Sequence, residues 1–128
     1  MNFLFDNNMP APLAAALRLL NKPVSHVRDL ADLGAAAPDD LILDYALRWD
    51  YLVVTIDRAM RKTPHFRALL QAKGLGVFFV KTGGARQMNA WQIAQLVVKA
   101  WDAMEQHAAQ HRRPFIALVQ PNGRVLRD

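Results

Sequence analysis

The chain has 128 residues, a formal net charge of +5 and a pI near 10.1. That length suits one domain with one core, so residues 1–128 are read as a single unit, and the even balance of apolar and polar residues excludes a disordered tail. The absence of cysteine excludes disulfides, thiolate catalysis and Cys-zinc sites, while the basic surface favours polyanions, nucleic acid first, with solubility alone or an acidic protein partner as alternatives.

In chain order, residues 2–6 read as a short apolar strand ending in Asp6. The start meets that acid at once and has no basic region before its apolar run, so no signal peptide is expected. No apolar run approaches the ~20 residues of a membrane span, so the default location is cytoplasmic. Pro10 and Pro12 suit a first helical turn, Leu13, Ala16, Leu17 and Leu20 recur at helical spacing, and Asn21 with Pro23 stops the helix. Val24 to Val27 is a short strand, followed by a loop to Ala37. Pro38-Asp39-Asp40 starts a helix with Leu41, Ile42, Tyr45 and Trp49 as its apolar side.

Residues 52–56 form a strand that is apolar along most of its length, as expected where both faces are covered. Residues 64–73 read as helix and Val77 to Val80 as another buried strand. Asn89 and Gln92 make a capping box for a long helix with Trp91, Ala94, Val98, Trp101 and Met104 on one bulky face. Phe115 to Val119 and Arg124 to Leu126 flank Pro121-Asn122-Gly123 as a hairpin. Strand and helix alternate to about residue 110. The expected fold is therefore α/β, a right-handed and mostly parallel central sheet with a C-terminal hairpin.

In open α/β sheets, sites form beyond the carboxyl ends of strands, where Asp6 and Asp57 both fall. If their strands are neighbours, the strand ends lie ~5 Å apart. Two carboxylates that close repel unless a proton or cation intervenes. Oxygen ligands with neither Cys nor His at the strand ends suit Mg²⁺ or Mn²⁺. The plainer alternative is that Asp6 makes an Asx turn with Asn7 and Asn8 while Asp57 caps the next segment. A third acid is expected from the helix beginning at Pro38. Asp39 shares a face with Ile42, Leu43 and Ala46 and is the preferred ligand, whereas Asp40 aligns with Asp44 and Arg48 on a more solvated face. Acids in a first helical turn also simply complement the helix dipole.

Arg58, Arg61, Lys62, His65 and Arg67 follow Asp57 immediately and suit a phosphodiester beside a metal, or else a solvated helix face. Lys81-Thr82-Gly83-Gly84-Ala85-Arg86 is a phosphate-friendly loop without the spacing of a P-loop, so a plain turn competes with it. Lys81 joins Arg58, Arg61 and Lys62 as a candidate nucleic-acid backbone contact. His26 falls near the proposed cleft with no role beyond an orienting hydrogen bond. His107 and His111 stand i, i+4 without an evident third ligand, and helix-end complementation explains them better than zinc.

Several pieces, in order, carry a resemblance: Phe3-Leu4-Phe5-Asp6-Asn7-Asn8-Met9-Pro10; His26-Val27-Arg28-Asp29-Leu30; Pro38-Asp39-Asp40 with Ile42-Leu43 and Tyr45-Ala46; and Val54-Thr55 with Asp57. As an ordered set they resemble the DUF5615 PIN-like family. The resemblance implies a metal-dependent ribonuclease, often the toxin of a toxin–antitoxin pair. It makes Asp6, Asp39 and Asp57 the acidic centre, supported by Thr55 and Asn8, with Mg²⁺ or Mn²⁺ as cofactor. It also implies a small antitoxin over the acidic cleft, and such a partner could direct an Arg toward Asp6 and Asp57. One departure matters: the family commonly carries another acid where this chain has Ala59, and Asp40 is the nearest substitute. The rival reading is accordingly a PIN-like fold without catalysis, acting as a protein-interaction or nucleic-acid-binding module. Oligomeric state is left open.

Overall fold

The computed structural model describes residues 1–83 and 87–128. The elements in chain order are β1 (Asn2–Phe5), α1 (Ala11–Leu19), β2 (Val24–His26), a 3-10 turn (Val27–Asp29), α2 (Asp39–Trp49), β3 (Tyr51–Thr55), α3 (Arg58–Lys62), α4 (Pro64–Ala72), β4 (Gly76–Val80), α5 (Ala90–Gln110), β5 (Phe115–Val119) and β6 (Val125–Arg127). They build a six-stranded sheet of order β2-β1-β3-β4-β5-β6. Five strands are parallel, and β6 returns antiparallel on β5 as the expected hairpin. The chain leaves β1 toward β2 and comes back to β3 on the other side of β1. The topological switch point therefore lies between β1 and β3, where a doubly wound sheet opens its crevice.

Alternation along the strands divides the core in two. Phe3, Phe5, Leu52, Val54, Phe78 and Val80 face α1 and α5. Leu4, Val53, Val77 and Phe79 face α2, α3 and α4. Helices on both faces are what a parallel sheet requires, since each strand must bury both rows of side chains. Gly76 is required in β4 by close approach: a Cβ there would stand 2.6 Å from Leu52 Cδ2 and from the Phe115 ring.

The hand of the crossovers departs from expectation. The β2–α2–β3 and β3–α3–α4–β4 connections move one way across the sheet, over one face. The β1–α1–β2 connection moves the opposite way over the other face, so all three share one hand. The β4–α5–β5 connection moves with the first two but runs over the α1 face, which gives it the opposite hand. Parallel crossovers are right-handed in about 98% of cases, so α5 is the exception. Its packing surface shows why it sits there: Ile93, Leu96, Val97, Ala100, Trp101 and Met104 pack on the Phe3 and Phe78 side, with Trp101 4.6 Å from the Phe3 ring.

Two expected apolar faces shift. In α2 the buried residues are Ile42, Leu43 and Ala46, while Leu41 and Trp49 are exposed. In α5, Trp101 and Met104 are core, but Trp91 is 70% and Val98 54% exposed. The expected stripes were displaced by roughly one position around each helix. Leu43, Ile93, Leu96 and Val97 supply the burial that the larger rings do not. The Asn89–Gln92 capping box forms in both directions, at 2.9 and 3.0 Å.

Candidate metal centre and nucleic-acid interface

β1 and β3 pair with Phe5 opposite Val54, and the Asp6 N–H donates to the Val54 carbonyl at 3.2 Å. Asp6 is therefore level with Thr55, and Asp57 lies two residues further along its own strand. Two extended residues span roughly 6.6 Å. The acids were expected to end level, about one strand spacing apart; the register instead staggers them, one deep and one shallow.

Asp6 is 2% exposed. Its Oδ1 accepts the Asn8 N–H at 3.1 Å, and its Oδ2 accepts the Thr55 hydroxyl. Burial pushes this carboxyl up to about 6, against the pull of those two hydrogen bonds, and the charges of Asp57 and Asp39 add to the rise. Thr55, wholly buried, also accepts the Asp57 N–H at 3.0 Å. One hydroxyl thus joins the backbone of the shallow acid to the carboxylate of the deep one. Asp57 Oδ1 accepts the Met60 N–H at 3.0 Å and caps α3, the short helix that carries Arg58, Arg61 and Lys62. Both plainer local roles, the Asx-type bond at Asp6 and the cap at Asp57, are thus made. Neither uses Asp57 Oδ2, which accepts nothing among the described residues.

Asp39 opens α2 and is exposed, yet partial desolvation and the charges of Asp57 and Asp40 raise its carboxyl. Asp6, Asp39 and Asp57 therefore share one field of repulsion. Asp40 enters that field only through Asp39. His26 is buried, donates from Nε2 to the Met9 carbonyl at 2.8 Å, and accepts the Arg28 N–H on Nδ1 at 3.1 Å. Both ring nitrogens are used. The imidazole ties the end of β2 to the loop carrying Asn8 and has no lone pair left for proton transfer.

A cleft of about 360 Å³ opens at the carboxyl ends of the strands, with Asn8, Asp57, Arg58, Thr82 and Gln87 in its walls. A hollow of about 80 Å³ adjoins it, sharing Asp57, Arg58 and Thr82 and adding Arg61 and Lys81. Of the expected RNA contacts, Arg58, Arg61 and Lys81 are brought together here. Lys62 is exposed and lines neither hollow. Arg61 is engaged by Asp128, a residue no local pattern singled out. Part of the Lys81–Arg86 loop, residues 84–86, lies outside the described residues. His107 and His111 stack at 3.8 Å between ring centroids, with His111 Nδ1 donating to the His107 carbonyl, and they lie away from this cleft on α5.

The donor set suits a hard cation in kind. The carboxyls of Asp6 and Asp39 are both raised, in part by the charge of Asp57, and a divalent ion among the three would relieve that repulsion. In spacing it is looser: among the described residues, no three His, Asp or Glu side chains stand together as a metal-holding group.

The class these features define is a mostly parallel, doubly wound α/β fold with strand-end acids at its switch point and cations beside them. The family model of the PIN like domain matches residues 1–82, and the chain belongs to that family. No curated protein and no solved structure gives a match. PIN-like domains generally depend on a divalent metal. No helix among the described residues is long and apolar enough to cross a membrane.

Proposed function

We propose that this chain is a metal-dependent endoribonuclease, the toxin of a toxin–antitoxin pair, resembling the DUF5615 branch of the PIN-like domains, with residues 1–128 acting as one unit. The observation that carries the reading is the Asp6–Thr55–Asp57 linkage at the β1/β3 switch point of a PIN-like fold. Asp6 and Asp57 would hold Mg²⁺ or Mn²⁺, with Asp39 reaching the ion directly or through water; Mg²⁺ is commonly held by one or two carboxylates plus waters. When bound, the cation supplies an acidified water and stabilises negative charge on the phosphoryl group. Thr55 and Asn8 fix both oxygens of Asp6, so that carboxylate presents one geometry. Met60 and Thr55 likewise fix Asp57. Arg58 and Lys81, in the walls beside Asp57, hold the RNA backbone by charge. The toxin role and the antitoxin rest on the resemblance.

A second reading has its own observation. Ala59 stands where the family commonly carries an acid, and the acids form no three-ligand group among the described residues. This favours a PIN-like module that binds RNA or protein without cleaving. Two measurements separate the readings. Cleavage of RNA with Mn²⁺, abolished by EDTA and by Asp57→Asn, supports the nuclease. Equal cleavage by wild type and Asp57→Asn, or none by well-folded wild type together with no calorimetric Mn²⁺ binding, rejects it.

A further inference from the structure

We propose that Arg61 and Arg67 form a backbone-phosphate subsite for RNA, and that the side chain of Asp128 occupies it as an internal competitor. The inference rests on the RNA-directed reading above but not on catalysis.

The geometry is that of an anion site already filled. Arg61 lies side-on to the Asp128 carboxylate, Nε to Oδ2 at 3.1 Å and Nη2 to Oδ1 at 3.3 Å. Arg67 Nη1 reaches the same Oδ2 at 2.7 Å and also donates to the Arg61 carbonyl at 3.4 Å. Two guanidinium groups thus converge on one oxygen. Cations that close repel unless an anion lies between them, and the forked donor set matches a phosphate as well as a carboxylate. The carboxylate is delivered by the sheet: the Asp128 N–H donates to the Ile116 carbonyl at 2.9 Å, just past β6. The Asp128 side chain is 17% exposed, and the two arginines are only about a third exposed. A phosphate displacing Asp128 would find Arg67 still tied to the Arg61 carbonyl and Arg61 beside it.

Position gives the subsite its purpose. Arg61 lines the hollow that contains Asp57, Arg58 and Lys81, so a phosphate there sits along the wall leading to the acids. With Asp128 in place, the cations available at that wall among the described residues are Arg58 and Lys81. With Asp128 displaced, the basic track extends from Lys81 through Arg58 to Arg61 and Arg67. A phosphate offers the two guanidinium groups the same forked acceptor geometry as the carboxylate and more negative charge, so competition rather than permanent closure is the expected behaviour.

The test is equilibrium binding of a short single-stranded RNA to the full chain in EDTA, followed by fluorescence anisotropy across a salt series. Asp128→Asn keeps the shape and removes the charge. It should tighten RNA binding on the order of 3–10-fold and steepen the salt dependence by roughly one to two released counterions. Arg67→Gln should weaken binding markedly in the Asp128→Asn background and only slightly in wild type. That non-additivity is not produced by a purely structural role for the ion pair. Unchanged or weaker RNA binding by a folded Asp128→Asn protein, or equal effects of Arg67→Gln in both backgrounds, overturns the proposal. If Asp128→Asn perturbs folding, Asp128→Ser provides the same comparison. Because no metal or cleavage is involved, tighter binding without Mn²⁺-dependent cleavage would sink the nuclease reading alone. Cleavage with no Asp128 effect would sink the subsite alone.

Discussion

The ends of β1 and β3 look alike in sequence, an apolar run closed by Asp, and differ in every physical respect. Asp6 is sealed, hydrogen-bonded through both oxygens and raised to about 6 by burial. Asp57 stands two residues further out, in the cleft wall, with one oxygen used as a helix cap. The sheet register makes the difference, because Asp6 falls level with Thr55 rather than with Asp57. The deep acid carries the electrostatic cost of the site, and the shallow one lines the cleft. A buried, strained charge beside an open one is the trade of stability for function expected at functional sites.

The sharpest break between the two acids is a split of activity from stability. Asp57→Asn should lower Mn²⁺-dependent RNA cleavage on the order of 10²–10³-fold. It should leave the melting temperature nearly unchanged, because Asn caps a helix about as well as Asp. A large fall in melting temperature would show that Asp57 is mainly a structural cap.

Asp6→Asn should do the reverse to stability. A rise from 3.8 to about 6 corresponds to roughly 3 kcal/mol of bias against the ionised form. The folded protein favours the protonated carboxyl. That contribution is complete below 3.8 and is lost as pH rises through about 6. Near neutral pH the metal-free Asn variant should therefore be the more stable by about 1–3 kcal/mol in urea unfolding, and the gap should close as the pH falls toward 3.8. A variant less stable than wild type at neutral pH would mean that the ionised Asp6 is well solvated or compensated.

Thr55→Val tests the link between the acids. It removes the hydroxyl donor from Asp6 and the acceptor from the Asp57 N–H, at a cost of about 1–2 kcal/mol near neutral pH. It should also raise the Asp6 carboxyl further, since that hydrogen bond pulls it down. In an Asp6→Asn background the cost should shrink, because a neutral amide needs the donor less. Additive costs would deny any coupling through Thr55.

Much of this was legible locally. Apolar runs located the strands because a parallel sheet buries both faces. The Asn89–Gln92 box and the Pro38–Asp39 start located helices through backbone caps, which involve only near neighbours. The sequence hid whatever depended on distant partners. Asp128 reaches Arg61 across the whole second half of the chain. The exposed Trp91 and Val98 lie on the side of α5 turned away from the sheet, because Ile93, Leu96, Val97 and Ala100 make the contact with the distant strands. The stagger of Asp6 and Asp57 depends on strand register, which neither strand encodes alone. The cap at Asp57 was legible as an alternative, and α3 with its buried Met60 makes it; only the length of that helix depended on the packing of Met60.

The smallest effect concerns position 59, where the DUF5615 resemblance implies a further acid. Ala59 is exposed, in the first turn of α3, two residues after Asp57. A carboxylate there would be solvated and would complement the helix dipole, so Ala59→Asp should change stability by no more than about 0.5 kcal/mol. On the shallow side of the site it would add a second carboxylate near Asp57, while the deep side stays as it is. Calorimetric Mn²⁺ affinity should rise several-fold, on the order of 3–10, because each added carboxylate strengthens a hard-cation site. The gain should disappear in Asp57→Asn, which removes the ligand it would share the ion with. An unchanged affinity would mean that position 59 points away from the cation, and that its usual acid serves substrate or fold instead.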